Sequence, residues 1–250
     1  LIDYPHIMEG GFLCMHPAEY NNAEDQFVHD LEQLKEWIDD YYIGGKKDEH
    51  YEHLVVNHNL VRNHYFTYCF AETQEEFEDE DYGFVSYAML AKGLKNKTEV
   101  INNIVQRFIS LKNVRKRENP CRISRAYLNL ESHSGVYCLL KEIPSIHNKF
   151  IIKDFDSLKY LFTQNQKNFI HTFEKQYLNK VKYFPLFCGY KLPDGSIHWQ
   201  AMVLYMDDLP IEPFCIGTGR NRVWYTDFKS GVIPWVQTED ISYKYFFGRG

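Results

Sequence analysis

The chain has 250 residues, of which 44% are hydrophobic and 25% are charged, a balance typical of globular domains. Its formal net charge of -6 argues against a general nucleic-acid binder and against a binder of anionic membranes. No apolar run approaches the ~18 residues that a membrane span requires. The six cysteines form no C-x-x-C pair, which favours free thiols in a reducing cytoplasm.

The first predicted element is an amphipathic helix in NNAEDQFVHDLEQLKEWIDDYY, residues 21–42. We expect Asn21 or Asn22 to cap its start and Gly44-Gly45 to end it. One apolar stripe supports the helix, formed by Phe27, Leu31, Leu34, Trp37, Ile38 and Tyr41. The polar connector KKDEHYEHL follows, so we predict a domain boundary near residues 50–60.

The rest of the chain predicts a mixed α/β region. Strands are expected at residues 64–72, 83–90, 222–228 and 231–237, and a helix at residues 97–114. Residues 123–131 and 135–143 predict strands or short buried segments, and residues 154–181 predict one or two helices. A hairpin is expected at residues 183–208, with Asp194-Gly195 at its turn. The acidic run from Glu75 to Asp81 predicts a solvated loop.

The stretch YPHIMEGGFLCM, Tyr4 to Met15, resembles the active-site segment of E2 ubiquitin-conjugating enzymes. Four residues, Tyr4-Pro5-His6-Ile7, stand where that family has His-Pro-Asn-Ile. Gly11 takes the place of its Gly, and Leu13-Cys14-Met15 replaces Ile-Cys-Leu without a gap. The resemblance implies that Cys14 is the nucleophile and that His6, at the place of the family's Asn, assists transfer to an amine. The Trp-Ser-Pro that follows the cysteine in ordinary E2 enzymes is absent.

A second resemblance lies at the other end of the chain. ISYKYFFGRG (residues 241–250), LPDGSIHWQAMVLYMDD and GVIPWV are similar to the linker that precedes the adenylation domain in bacterial ThiF-type E1–E2 fusions, including those of CBASS antiviral operons. The implied fold is α/β (α+β), with a partial E2/UBC-like domain at residues 1–55 and a mixed α/β linker domain at residues 56–250. The chain lacks an initiator Met and starts inside the motif, so we expect a piece of a longer polypeptide.

The same resemblance implies the activity and its partners. Cys14 would receive the C-terminus of a ubiquitin-like protein or a nucleotidyltransferase as a thioester and pass it to an amine. The E1 adenylation domain would be a further partner, and a second copy of the chain is also considered; neither nucleic acid nor a membrane is expected. ATP and magnesium belong to the adenylation domain, so no cofactor is expected in residues 1–250. GTGRNR (Gly217 to Arg222) lacks the third glycine and the strand-to-helix setting of a nucleotide loop.

Two alternatives stay open from sequence, an interaction module and a hydrolase. In the first, Cys14 is a buried thiol, and the chain is a non-catalytic interaction module that docks an E1 domain or another partner. His198-Trp199, Asp207-Asp208 and Cys215 allow a Cys/His hydrolase, although the spacing favours His198 as a packed residue. His50, His53 and His58 lie near Cys69 in sequence, but they complete no metal-ligand pattern, and we predict no metal.

Overall fold

The computed structural model describes residues 22–44, 63–95, 98–112, 116–142, 152–177, 182–192, 195–205 and 211–242. The chain divides into two compact units. The first comprises Leu1–Val55 with Ser145–Ile151, and the second comprises Val56–Pro144 with Ile152–Gly250. Within the described ranges, no helix is both long enough and apolar enough to cross a membrane.

The described part of the first unit is one helix. Helix α1 (Ala23–Trp37) continues into a π-helical segment, Ile38–Ile43. Asn22 caps it, because its Oδ1 accepts a hydrogen bond from the Asp25 backbone N–H at 2.8 Å. At the other end, the Gly44 N–H donates to the Asp39 carbonyl at 3.0 Å. The predicted helix and its Asn22 cap are therefore confirmed, whereas Asn21 and Gly45 lie outside the described residues.

The second unit is a mixed α/β structure dominated by one large sheet. Its strands are β1 (Asn63–Phe70), β2 (Tyr82–Lys95), β3 (Thr98–Ser110), β4 (Arg117–Pro120), β5 (His133–Leu139), β6 (Tyr183–Lys191), β7 (Ile197–Tyr205), β8 (Ile211–Ile216), β9 (Val223–Phe228) and β10 (Trp235–Asp240). Its helices are α2 (Arg125–Leu128), α3 (Phe155–Leu158) and α4 (Gln164–Tyr177). A 3₁₀ turn, Lys159–Leu161, follows α3 directly.

Seven strands close into a barrel-like sheet in the order β1-β10-β7-β6-β5-β2-β3, and β3 pairs back with β1. The pairs β1–β10, β1–β3 and β5–β6 are parallel, and the others are antiparallel. Strand β4 extends the sheet beyond β3, while β8 and β9 form a separate two-stranded ribbon. The mixed α/β class expected from sequence is confirmed in this form.

Aromatic side chains fill the interior of the closed sheet. Phe108 and Trp199 stack there, and Phe77, from the loop between β1 and β2, packs edge-on against Phe108 and near Trp199. Gly189 on β6 leaves room for this cluster, since a Cβ at that position would come within 2.5 Å of the Trp199 ring. The core is therefore packed with rings at this end of the sheet.

The helices cover the outside of the sheet. Phe169 and Phe173 of α4 contact Phe84 of β2, and Phe173 also contacts Phe184 of β6. Phe155 of α3 stacks on Phe228 of β9, with ring centroids 5.1 Å apart. These contacts confirm the helices predicted within residues 154–181. Because α4 also contacts β9 through Asn168 and Lys167, it joins the ribbon to the main sheet.

The helix predicted at residues 97–114 is wrong, because β3 occupies Thr98–Ser110. Val100, Ile104 and Phe108 recur every four residues, a spacing that fits a helix face and also one face of a strand. The segment is rich in β-branched residues, which favour a strand. The register of β2 and β3 shifts between their pairs Ser86–Arg107 and Tyr87–Val105, and this bulge obscures the strand's alternation in sequence.

Two smaller predictions also need correction. Within residues 123–131 the structure has the short helix α2 with mostly exposed side chains, where strands or buried segments were expected. In the acidic run, Phe77 and Asp81 are buried, so the loop is only partly solvated. The hairpin of β6 and β7 is confirmed, with Gly195 at φ +80 in its turn, while Asp194 lies outside the described residues.

Candidate functional site

The predicted catalytic residues, Cys14 and His6, lie outside the described residues. The same holds for His50, His53 and His58, and for Asp207 and Asp208. The nearest described element is α1, whose cap Asn22 follows Cys14 by eight residues in sequence. The structure therefore describes the helix that follows the candidate site, and the assignment of Cys14 and His6 stays a prediction.

Four of the other five cysteines are poor nucleophiles. Burial raises the pKa of Cys121 to about 12, and burial with help from Glu239 raises that of Cys69 to about 11. Cys138 on β5 lies opposite Cys188 on β6 in the strand register. Both thiols are free and fully buried, and burial raises the pKa of each. Because the thiolate is the reactive form, the raised pKa values make these four thiols weaker nucleophiles than an ordinary exposed cysteine.

Cys215 differs from the other described cysteines, since it is exposed on β8. Its thiol donates a weak hydrogen bond to the Ile216 carbonyl oxygen, with the Sγ atom 3.9 Å from that oxygen. The partner proposed for it in a hydrolase, His198, lies on β7 in the other sheet. The imidazole packs against the rings of Phe70 and Tyr190, at centroid distances of 6.1 and 5.3 Å.

The surroundings of His198 suit a packed neutral ring. Burial lowers the pKa of His198 to about 4, so the ring is uncharged at neutral pH. Its Nε2 atom is buried, and no described residue hydrogen-bonds to it. Within the described residues, no hydrogen bond joins His198 to Cys215, so the geometry of a nucleophile and its base is missing.

The main buried polar cluster of the second unit centres on Asp81. Its carboxylate accepts hydrogen bonds from the Ser110 hydroxyl at 2.6 Å, the Tyr82 N–H at 2.8 Å and the Tyr137 hydroxyl at 3.1 Å. The Gln166 amide donates to the Leu139 carbonyl at 2.8 Å, beside this cluster. Every oxygen of the carboxylate is thus satisfied, which indicates a structural role in closing this end of the sheet.

The acidic loop and the basic segment Arg115 to Arg125 contact each other. The Arg117 Nε donates to Glu75 at 2.6 Å, and the Asn119 side chain accepts from the Glu75 N–H at 2.9 Å. Asp79 accepts a hydrogen bond from Lys191. Some of the charged side chains of the acidic loop are therefore paired with basic side chains of the same unit.

The ribbon of β8 and β9 exposes several large apolar side chains. Ile216, Val223 and Trp224 are 58%, 48% and 62% exposed. GTGRNR forms the turn of the ribbon, with Gly217 and Gly219 at positive φ. This segment, which lacks the pattern of a nucleotide loop, is therefore the tip of a hairpin. Sequence reasoning predicted β9 but missed the ribbon, because FCIG and RVWY resemble any pair of buried strands.

No family model, no curated protein and no solved structure matches this chain. Within the described ranges, no group of three or more His, Cys, Asp or Glu side chains is placed to hold a metal ion. Functional interpretation therefore depends on the residues themselves.

Proposed function

We propose that the chain is part of a bacterial E1–E2-type conjugating enzyme and that Cys14 is its acyl carrier. The observation that carries this proposal is the ungapped motif from Tyr4 to Met15, followed after eight residues by the capped helix α1. An E2 enzyme also has a helix after its active-site segment. The raised pKa values of Cys69, Cys121, Cys138 and Cys188 support the proposal, because they make these thiols poor candidates to carry an acyl group.

The proposed chemistry has two acyl transfers. The Cys14 thiolate attacks the carbonyl carbon of a thioester on an E1 cysteine, a new C–S bond forms, and the E1 thiolate leaves. An amine then attacks the same carbonyl carbon, the C–N bond forms, and the Cys14 thiolate leaves as the amine loses a proton. His6 donates a hydrogen bond to the oxyanion in this second step.

The second unit serves in this proposal as the linker between the E2-like segment and the adenylation domain. The protein whose C-terminus Cys14 receives is a ubiquitin-like protein or a nucleotidyltransferase. The conjugation serves antiviral defence. ATP and magnesium are used by the adenylation domain, which supplies the acyl adenylate. The alternative is an interaction module with an inert Cys14, and the exposed ribbon favours it, because apolar side chains clustered on a surface commonly mark a protein contact.

The test uses the complete gene product together with ATP, magnesium and the protein to be conjugated, which is encoded beside it. Adducts are resolved on gels with and without thiol. We expect a thiol-sensitive adduct that is lost in Cys14→Ala and kept in the matched variant Cys215→Ala, since Cys215 is also an available thiol. In Cys14→Ser the adduct should become resistant to thiol, because an oxygen ester replaces the thioester.

Two results would contradict the proposal. One is a set of adducts that is the same with and without Cys14→Ala when the E1 cysteine has also been replaced. The other is an adduct that depends on Cys215. Either result would leave the interaction module as the better explanation of the chain.

A further inference from the structure

The β6–β7 hairpin carries polar side chains on the face that points away from the ring cluster. In the strand register, Tyr190 lies opposite His198, and the pair two residues away is Cys188 and Gln200. Because side chains alternate along a strand, these four residues share one face. Trp199 lies between His198 and Gln200 and points into the closed sheet, so the four lie on its outer face. Tyr190 and Gln200 are nevertheless only 1% exposed.

Three of these side chains have buried polar atoms that are not paired. The Tyr190 hydroxyl, the Gln200 Nε2 atom and the His198 Nε2 atom are buried, and no described residue hydrogen-bonds to them. An unpaired buried polar group costs stability, so native proteins pair nearly all such groups with protein atoms or with ordered water. Three such groups on one face indicate a shared partner.

The Tyr190 hydroxyl and the Gln200 amide lie close together without a direct hydrogen bond. Burial raises the pKa of Tyr190 and the Gln200 amide lowers it, so the amide lies near the phenol oxygen. The two groups are still not bonded to each other. The His198 ring lies beside them, with its centroid 5.3 Å from that of Tyr190. Polar groups that are close and yet unbonded are a typical setting for a bridging water.

The ladder of backbone hydrogen bonds is interrupted beside these residues. Within the described ranges, β7 pairs with β10 only at Ala201 and Met202. Among the described strands, the earlier residues Ile197–Gln200 pair with β6 alone. Phe70 of β1 contacts His198, although β10 lies between β1 and β7 in the strand order. Side chains therefore close the sheet at this point, and ordered water commonly completes hydrogen bonding at such interruptions.

The three groups suit a small neutral ligand. Burial lowers the pKa of His198 to about 4 and raises that of Tyr190, so both rings are uncharged at neutral pH. An ion beside them would lose its hydration without gaining an opposite charge. The Gln200 amide nitrogen donates, whereas the phenol and the neutral imidazole can each donate or accept. Because Tyr190 and Gln200 lie so close, the ligand has the size of water.

We propose that Tyr190, His198 and Gln200 together bind one internal water molecule on the outer face of the β6–β7 hairpin. The water accepts a hydrogen bond from the Gln200 amide and forms one bond each with the Tyr190 hydroxyl and the His198 Nε2 atom. Three partners are typical of a buried water. This water stabilises the part of the sheet where β7 and β10 are not paired, and the proposal is independent of the chemistry of Cys14.

The first test is oxygen-17 magnetic relaxation dispersion of the full chain, which counts internal water molecules with long residence times. Tyr190→Phe should lose one such water relative to wild type, because the ring stays and a partner of the water is removed. Tyr160→Phe is the matched control, since Tyr160 is 74% exposed, and it should keep the wild-type number. A crystal structure of the wild-type chain should place the water within hydrogen-bond distance of all three atoms.

Unfolding equilibria provide a second readout. If the Tyr190 hydroxyl is bonded to the water, Tyr190→Phe should raise the unfolding equilibrium constant about two- to tenfold. If the hydroxyl has no partner, its removal should leave that constant unchanged or lower it. Tyr160→Phe should leave it unchanged.

Three results would overturn the proposal. The first is a wild-type crystal structure in which the Tyr190 hydroxyl and the Gln200 amide bond directly to each other, or in which the three atoms meet only apolar groups. The second is an equal number of long-lived waters in Tyr190→Phe and wild type. The third is a Tyr190→Phe variant that is as stable as wild type or more so. If Tyr190→Phe does not fold, the wild-type crystal structure decides.

Discussion

Phe108 and Trp199 stack inside the closed sheet with ring centroids 4.6 Å apart and ring planes 17° from parallel. They come from β3 and β7, which are not neighbours in the sheet, so the stack bridges its interior. Gly189 on β6 faces the Trp199 ring across the β6–β7 pair. The position of the Trp199 ring therefore depends on the absence of a side chain at residue 189.

Adding one methyl group at this point should destabilise the second unit. In Gly189→Ala the new Cβ would meet Trp199 at 2.5 Å and Leu139 at 2.7 Å. We expect the free energy of unfolding to fall by about 1–3 kcal/mol, as for other overpacked cores. Denaturant unfolding measures the change, and Cys215→Ala at an exposed site is the control. An unchanged midpoint would show that the ring cluster yields without strain.

The carboxylate of Asp81 should contribute more to the free energy of unfolding than the carboxylates of its exposed neighbours. Asp81→Asn replaces one acceptor oxygen with an amide donor, which then faces the hydroxyl of Ser110 or Tyr137. We expect a loss of about 1–3 kcal/mol in the free energy of unfolding. Glu76→Gln, an exposed change in the same loop, should alter it by less than about 0.5 kcal/mol. Equal effects of the two variants would contradict a structural role for Asp81.

His198 should make the second unit sensitive to acid. Its folded pKa of about 4 lies below the ordinary histidine pKa of 6.5 because the ring is buried. The unfolded chain therefore binds the proton first, and stability is lost as pH falls from 6.5 towards 4 and stays level below that. The expected slope is about 1.4 kcal/mol per pH unit between the two pKa values.

The comparison variant for this pH dependence is His198→Gln. Titrations of other groups are common to both proteins, so they cancel in the difference between their free energies of unfolding. We expect that difference to shrink as pH falls through the interval. A difference that is constant with pH would mean that His198 is not shielded from solvent.

The cysteines should differ sharply in their reaction with iodoacetamide. Among the described cysteines, we expect Cys215 to react first, because it is exposed, and Cys138 and Cys188 to react only after unfolding. Mass spectrometry of tryptic peptides from native and denatured protein measures the order. Early labelling of Cys138 in native protein would show that β5 and β6 open readily.

His6 should affect the second acyl transfer more than the first. If it stabilises the oxyanion during attack by the amine, His6→Ala should slow discharge of the Cys14 thioester by about a hundredfold and leave thioester formation nearly unchanged. His6→Asn, which restores the residue typical of E2 enzymes, should recover most of the rate. Single-turnover discharge to a free amine separates the two steps, and equal losses in both would point to a folding role.

Local patterns predicted the elements whose contacts are local. The stripe from Phe27 to Tyr41 indicated α1, and the β6–β7 hairpin followed from two apolar runs around Asp194-Gly195. The segment from Thr98 to Ser110 was wrongly predicted as a helix. Its apolar residues recur every four positions, which fits both a helix and one face of a strand, and a bulge interrupts the strand alternation. Length and composition could not resolve it.

Distant contacts left no comparable trace in the sequence. Asp81 looks like the last residue of a solvated acidic run, and its partners Ser110 and Tyr137 are 29 and 56 residues away. Phe77 lies within the same run and is buried among rings of other strands. The closure of the sheet was equally hidden, since the pairing of β1 with β10 joins opposite ends of the second unit.

The place of β1 between β3 and β10 has a consequence for biosynthesis. Strand β1, the first described strand of the second unit, gains one neighbour early, but its other neighbour, β10, is the last of the described strands to be synthesised. Until Trp235–Asp240 has been translated, one edge of β1 and one edge of β7 lie open. Nascent chains halted before that strand should therefore be vulnerable to proteases and should recruit chaperones, whereas chains halted just after it should resist digestion.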